Sequence, residues 1–337
     1  MNSFGTLFRV SIYGESHGEG VGVLIDGVPA GIPLREADFL EDIGRRKPGA
    51  VGTTKRIEGD IPQILSGVFE EYTTGAPINI FFKNENKNSR VYRDFKGHPR
   101  PGHADFTATK KYGGYNDIRG GGHFSGRLTL GLVAGGVVAK KILKAVEYET
   151  TLKTLGELEF PKDLEKIEEY LRGVAEEGDS VGGIIGCSVK NLPIGLGEPF
   201  FDSVESKISH MMFSIPGIKG IEFGAGFSGT KFKGSQFNDR FIDSCGTTEG
   251  NNNGGINGGI TNGNPLVFNV AVKPTASIFK PQESYNFKEE RMETLKIEGR
   301  HDAAFVVRVP IVVENAVAIA LADLYLGGKR WEREWTI

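Results

Sequence analysis

Cysteine is scarce in this chain: Cys187 and Cys245 are the two among 337 residues. Neither sits in a metal-binding or redox spacing, which excludes a disulfide scaffold and implies free thiols in a reducing compartment. An excess of one charge sign is also missing. Lys and Arg number 40 against 43 Asp and Glu, a net charge of −3, which argues against a general nucleic-acid binder. Long apolar runs are lacking too. The most apolar stretch, 128–139, is too short to span a bilayer and ends in Lys140-Lys141. Met1-Asn2-Ser3-Phe4-Gly5 lacks the basic start and apolar run of a secretory signal. These shortages predict a cytoplasmic protein with neither membrane nor nucleic-acid partners.

What the chain does have is glycine, 48 residues of it, within a globular composition of 39% hydrophobic and 25% charged residues. The length allows one large domain or two ordinary ones. No composition shift marks a linker, so a single domain over 1–337 is expected. The basic residues are unevenly placed. Segment 45–56 carries Arg45, Arg46, Lys47, Lys55 and Arg56 with no acid, and 83–100 carries Lys83, Lys87, Arg90, Arg93, Lys96 and Arg100 against Glu85 and Asp94. Locally basic loops on an acidic protein suit a small anionic ligand.

Residue patterning predicts strands over 6–13, 21–25, 61–69, 77–83, 183–190, 217–223 and 266–273. Helices are expected over 36–46, 105–112, 126–145, 161–175, 202–213 and 308–326, those at 126–145 and 308–326 buried. Segments 84–102 and 246–264 read as loops. Thr73-Thr74-Gly75-Ala76-Pro77-Ile78 is echoed by Thr261-Asn262-Gly263-Asn264-Pro265-Leu266. Each copy precedes a strand, then a loop holding Arg, His and Asp, then an apolar helix. The echo predicts two similar sheet-and-helix halves whose helices pack together.

The stretch that organises the chain is Arg119-Gly120-Gly121-Gly122-His123-Phe124-Ser125-Gly126-Arg127. Glycine allows left-handed backbone and close approach to a ligand, and the helix that follows offers free N–H groups to an anion. His17, His98, His103 and His123 lie in loops beside glycine, where a histidine can exchange protons near neutral pH. Lys273-Pro274-Thr275-Ala276-Ser277 supplies a cation and two hydroxyls, suitable donors for a phosphate. Gly224-Ala225-Gly226-Phe227-Ser228-Gly229 has the dinucleotide spacing, but no helix is expected after it, so it is set aside. His98, His103 and Asp105 do not form a recognisable ligand set, and no metal is expected.

Taken in order, Gly14-Glu15-Ser16-His17-Gly18, Arg100-Pro101-Gly102-His103-Ala104-Asp105, the glycine run with Ser125-Gly126-Arg127, Lys273-Pro274-Thr275 and Arg300-His301-Asp302 resemble the chorismate synthase family. The likeness covers nearly the whole chain. It implies an α+β fold, a β-α-β sandwich with a helical layer between two mainly antiparallel sheets, and a homotetramer. It implies anti-1,4 elimination of phosphate from 5-enolpyruvylshikimate 3-phosphate to give chorismate, in the shikimate pathway of aromatic amino acid biosynthesis. Reduced FMN is needed without net redox change.

By that resemblance, His17 serves the leaving phosphate and His103 stabilises the reduced flavin. Asp302, with Ser16 and Ser125, would relay the C6 proton through the flavin. FMN contacts would be His123, Phe124, Ser125, Pro216, Gly217, Gly258, Lys273, Pro274, Thr275, Ala276, Ser277 and Arg300. Arg46 matches a position for NADPH or an anion. Arg45, Arg46, Arg119 and Arg127 would take the substrate's carboxylates and phosphate. The chain departs from the family at His123-Phe124, where Arg-Ser is common, and at Ala303-Ala304, where Pro-Cys is common and packing is the expected role. Segment 49–54 lacks an Arg often found there, which weakens direct use of NADPH, so flavin reduced elsewhere is expected. The rival readings are an NADPH-dependent flavin reductase and a non-catalytic phosphate-sensing module.

Overall fold

The computed structural model describes residues 2–47, 49, 52–53, 59–85, 95–160, 163–299 and 301–328. Lys55, Arg56, Lys87, Arg90, Arg93 and Arg300 lie outside them, as do parts of both basic loops. The first half runs β1 (Ser3–Phe4), β2 (Arg9–Gly14), β3 (Gly20–Asp26), α1 (Leu40–Arg46), β4 (Gln63–Ser66), the short ribbon β5 (Val68–Phe69) and β6 (Tyr72–Thr73), β7 (Ile78–Lys83), α2 (Asp105–Lys111) and α3 (Thr129–Ile142). The second half opens with β8 (Glu147–Leu155), β9 (Leu158–Glu159), α4 (Leu164–Glu176), β10 (Gly183–Lys190), α5 (Val204–Phe213) and β11 (Ile218–Phe223). It continues through α6 (Gly234–Phe237), the ribbon β12 (Ile256–Asn257) and β13 (Ile260–Thr261), β14 (Leu266–Val272), the hairpin β15 (Gln282–Asn286) and β16 (Arg291–Leu295), and α7 (Pro310–Gly328).

Two antiparallel five-stranded sheets result, ordered β1-β2-β3-β7-β4 and β9-β8-β10-β14-β11. Read this way β2-β3-β7-β4 corresponds to β8-β10-β14-β11, with α1 matching α5 and α3 matching α7, while the fifth strands differ: β1 precedes β2 and β9 follows β8. The echo between Thr73–Ile78 and Thr261–Leu266 therefore marks the entries to equivalent strands, β7 and β14. The fold is α+β, and α1, α3, α5 and α7 form the middle layer.

Alternation produces the two inner faces. Val21, Val23 and Ile25 of β3 and Ile78, Ile80 and Phe82 of β7 are fully buried beneath α3. Ile185 and Val189 of β10 and Leu266, Phe268 and Val270 of β14 do the same in the sheet that α7 covers. Cys187 lies on that face too, where burial pushes its thiol well above the usual range. Both helices are apolar all round because a sheet lies on one side and the other helix opposite. Their approach is close: a Cβ on Gly136 would stand 2.3 Å from the Cβ of Asn315. α7 has the length and composition to cross a bilayer, but 78% of its apolar window is buried inside the protein, so it is a core helix.

The expected helix over 126–145 is a 3-10 turn, Gly126–Leu128, followed by α3. The expected helix over 308–326 likewise begins with a 3-10 turn, Phe305–Arg308, ahead of α7. Strand β8 and the hairpin β15–β16 were not anticipated. The dinucleotide spacing is correctly set aside: it coincides with the 3-10 turn Gly226–Lys231, and the Glu222 carboxylate already accepts from the Phe227 amide at 3.1 Å. Ala304 is fully buried, as packing requires.

The two ends of the chain are joined at one carboxylate. Asp323 Oδ1 accepts from the amides of Thr6, Leu7 and Phe8 at 2.8, 2.7 and 3.0 Å, and Oδ2 meets Lys207 Nζ at 3.0 Å. Burial opposes ionisation, but the amides and Lys207 prevail, and the Asp323 pKa lies below the usual carboxylate value. Asp323→Ala should cost on the order of 3 kcal/mol, because it leaves three amides without their acceptor and takes from the half-buried Lys207 the nearer of its two carboxylates, Asp202 remaining at 3.7 Å. A lowered pKa contributes stability above the unfolded value of about 3.9 and loses it as pH falls through the folded value. Urea unfolding at pH 7 and pH 3 should thus show a gap between wild type and variant that narrows in acid.

Candidate active site

A cavity of about 780 Å³ opens where the starts of α3 and α7 come together. The glycine run forms one wall. Gly120, Gly121 and Gly122 have φ of +60°, +83° and +54°, the left-handed region that glycine tolerates. Space forbids a side chain as well: a Cβ on Gly120 would lie 2.4 Å from His17 Cδ2, and one on Gly122 would lie 2.0 Å from the Asp117 carbonyl oxygen. The Ser16 amide donates to the Gly122 carbonyl at 3.1 Å, and Asn84 Nδ2 donates to the carbonyls of Glu15 and Gly18 at 2.9 and 3.0 Å. The loop carrying Ser16 and His17, both buried, is thereby fixed behind Gly120.

His103 stands on the same wall within a second fixed group. Arg100 forks onto Asp105, with Nε–Oδ2 at 2.7 Å and Nη2–Oδ1 at 2.9 Å, and its Nη1 donates to Ser277 Oγ at 2.9 Å. His103 Nδ1 lies 2.6 Å from Asp105 Oδ1, and its Nε2 lies 3.2 Å from Arg100 Nη2. One tautomer satisfies both contacts: the proton on Nδ1 goes to Asp105 and Nε2 accepts from Arg100. Burial favours a protonated Asp105, but the hydrogen bonds from Arg100 and His103 hold it well below the usual carboxylate range.

Three guanidiniums line the opposite side. Arg127 donates to Asp60 Oδ1 at 2.8 Å and to the Asn84 side-chain oxygen. Arg46 donates from Nε to Thr129 Oγ1 at 2.9 Å and from Nη2 to the Gly126 and Arg127 carbonyls, and its Nη1 shares Asp60 at 3.5 Å. Burial, reinforced by the charges of Arg308 and Arg127, pushes the Arg46 pKa down to about 9. Arg308 donates from Nη1 to Asp302 Oδ2 at 3.0 Å and from Nε to the Arg46 carbonyl at 3.1 Å. Three cations face two carboxylates here, a shortage of negative charge that an anionic ligand would correct.

The loop after β14 completes the enclosure. Lys273, Pro274, Thr275, Ala276 and Ser277 all line the cavity, and Lys273 Nζ donates to the Gly102 carbonyl at 2.6 Å. Burial, with Lys219 nearby, lowers the Lys273 pKa. Thr275 Oγ1 and His301 Nε2 are buried with no hydrogen-bond partner among the described residues.

Of the residues expected at the site, His103, His123, Phe124, Ser125, Arg46, Arg127, Pro216, Gly217, the Lys273 loop and Asp302 line the cavity. His123 Nδ1 is bound at 2.8 Å to the Gly14 carbonyl oxygen. Ser16 and His17 stand one layer behind it. The structure does not bring the other three to the wall. Arg45 forks onto Glu314 at 3.0 and 2.7 Å, inside a buried cluster with Asp42 and Lys140. Arg119 forks onto Asp117 at 2.9 and 2.8 Å. Gly258 sits at the turn between β12 and β13, a ribbon that packs against Glu198 and Ser203. Arg300 lies outside the described residues. Sequence reasoning missed Asp60 and Arg308. Asp60 follows a lone Gly59 and Arg308 an apolar run, with nothing local to mark either, and their partners, Arg46 and Arg127 for one and Asp302 for the other, appear only once the chain has folded.

A buried cationic cavity with histidines and carboxylates fixed around it defines an enzyme acting on a small anion. The comparisons make that class specific. The family model "Chorismate synthase" matches residues 8–326. A chorismate synthase of Chitinophaga pinensis is 57% identical over 334 residues, covering 99% of both chains, and one of Pyrococcus abyssi is 42% identical, covering 97% of this chain and 98% of that one. A crystal structure of chorismate synthase superposes with a TM-score of 0.75 at 29% identity, covering 96% of this chain and 93% of the other. The chain belongs to the chorismate synthase family, and its activity is that of a carbon–oxygen lyase.

Proposed function

We propose that the chain, acting as a single domain, converts 5-enolpyruvylshikimate 3-phosphate to chorismate by anti-1,4 elimination, with reduced FMN held in the cavity described above. The observation that carries this reading is the meeting of His103, Ser125, Asp302 and the Lys273 loop on one 780 Å³ enclosure, a size suited to ligands of this kind. The donor set fits a flavin phosphate beside a trianionic substrate: Lys273 and the hydroxyls of Thr275 and Ser277 on one side, guanidiniums on the other. The unpartnered Thr275 Oγ1 and His301 Nε2 are polar atoms that a bound ligand would satisfy.

When bound, reduced flavin supplies electron density that eases loss of the phosphate. The chain's own residues do the rest. His17, fixed behind Gly120, gives a proton to the departing phosphate as the C3–O bond breaks. Asp302, assisted by Ser16 and Ser125, accepts the proton leaving C6, and the C–H electron pair enters the new diene. His103, oriented by Asp105, holds a proton beside the flavin. Arg127 and Arg46 keep the phosphate side positive and exclude water.

The donors of Arg46 turn inward to Thr129, Gly126 and Arg127, which supports a flavin reduced elsewhere over direct use of NADPH. Exposed Phe200 and Phe201, 84% and 92% accessible, support assembly into the homotetramer. A flavin contact from Gly258, away from this cavity, would then come from a neighbouring copy. The cytoplasm and the shikimate pathway are the setting this chemistry implies.

The test is anaerobic turnover of 5-enolpyruvylshikimate 3-phosphate with chemically reduced FMN. Chorismate and one equivalent of phosphate are expected. Steady NADPH oxidation without substrate would instead make it a flavin reductase, and folded protein that gives neither would overturn the reading.

A further inference from the structure

Arg308 is the cation at this cavity for which sequence gave no role. It closes the 3-10 turn Phe305–Arg308, directly ahead of α7. Two of its three nitrogens are committed, Nη1 to Asp302 Oδ2 at 3.0 Å and Nε to the Arg46 carbonyl at 3.1 Å. Nη2 makes no hydrogen bond among the described residues. The side chain is 18% exposed and lines the cavity. A half-buried guanidinium with a donor to spare at a cavity is a ready partner for an anion.

The neighbouring cations cannot take over its task. Arg46 has its donors on Thr129, Gly126, Arg127 and Asp60, and Arg127 has its own on Asn84, Asp60 and the Lys83 carbonyl. Both hold the wall together. Arg308 alone in this group joins a carboxylate with a proposed proton-accepting role to an edge still open toward the ligand.

We infer that Arg308 is a positioning and specificity residue: its Nη1 holds Asp302, and its free Nη2 receives an anionic group, carboxylate or phosphate, of the substrate. The planar group couples the two, since Nη1 and Nη2 share one carbon and the guanidinium cannot turn toward the anion without shifting its bond to Asp302. Seating the substrate and aiming Asp302 become one event. This rests on the lyase reading above and deepens it.

Two variants separate this role from a merely structural one. Arg308→Gln removes the charge and should raise the Kd for 5-enolpyruvylshikimate 3-phosphate about tenfold or more, measured by calorimetry on protein saturated with oxidised FMN. It should also lower kcat, because Asp302 loses the Nη1 bond that aims it. Arg308→Lys restores a point charge without the fork, so Kd should return to within about threefold of wild type while kcat stays at least tenfold down. That split is the signature; a structural residue would move both parameters in parallel with thermal stability.

Where Arg308→Gln fails to fold, Arg308→Lys decides alone by the same split. Folded variants with wild-type Kd and kcat, or Arg308→Lys with affinity and kcat lowered together or restored together, would overturn the inference. Failure of the lyase reading looks different: wild type itself would form no chorismate from reduced FMN and substrate.

Discussion

Chorismate formation is expected to fall about 10²- to 10⁴-fold when His103 is replaced by alanine, the range for a positioned proton-transfer group. The fold should be untouched, because the rest of the cluster stands without the imidazole. Arg100 keeps its fork on Asp105 and its bond to Ser277 Oγ, and its guanidinium stays 4.6 Å above the Phe95 ring. The measurement is single-turnover chorismate formation with pre-reduced FMN, with FMN affinity and thermal midpoint as controls. Turnover within threefold of wild type would remove His103 from the mechanism. Asp105→Asn is the companion: it keeps the shape but weakens the acceptor of the Nδ1 proton, so a smaller loss in the same direction is expected.

Gly120→Ala should be nearly as damaging although it deletes no functional group. Its φ of +60° disfavours alanine, and the added Cβ would meet His17 Cδ2 at 2.4 Å and Ser16 Oγ at 2.9 Å. Those two atoms belong to the loop assigned to the leaving phosphate, fixed from behind by Asn84 and Gly122. Displacement of about 1 Å in such a site costs on the order of 10² in rate. A crystal structure of the variant should show the imidazole of His17 moved while the two sheets superpose. Wild-type turnover with His17 displaced would break the link between this loop and catalysis.

Sequence reading succeeded where one residue type answers to one local demand. Three successive glycines predict backbone that other residues avoid, and the structure shows positive φ at each. The apolar runs predicted two buried helices, and Gly136 against Asn315 shows why small residues recur between them. The repeated entry to β7 and β14 correctly foretold paired halves. Reading failed where the outcome is set by which partner the folded chain presents, whether distant or close in sequence. Glu147–Leu155 alternates, but its exposed positions are Glu, Thr and Lys, and only pairing with β10 makes it a strand. Arg45 and Arg119 looked like substrate ligands because they are basic and near glycine. Glu314, 269 residues from Arg45, and Asp117, two from Arg119, claim them instead. Arg308 looked like the start of a helix, since its partner Asp302 and the Arg46 carbonyl meet only in three dimensions.

The junction at Asp323 bears on how the protein is made. Thr6, Leu7 and Phe8 wait for an acceptor 317, 316 and 315 residues later in the chain. On a ribosome, the first sheet can pair its strands long before that carboxylate leaves the exit tunnel. The leading segment, whose Asn2, Ser3 and Phe4 line the cavity, can pair with β2 early, but the bend at Thr6–Phe8 that follows it has no acceptor until α7 has been synthesised. Enclosure of the cavity is therefore a late, whole-chain event, and a nascent polypeptide arrested before Asp323 should be cut readily by protease at its beginning while its first sheet already resists.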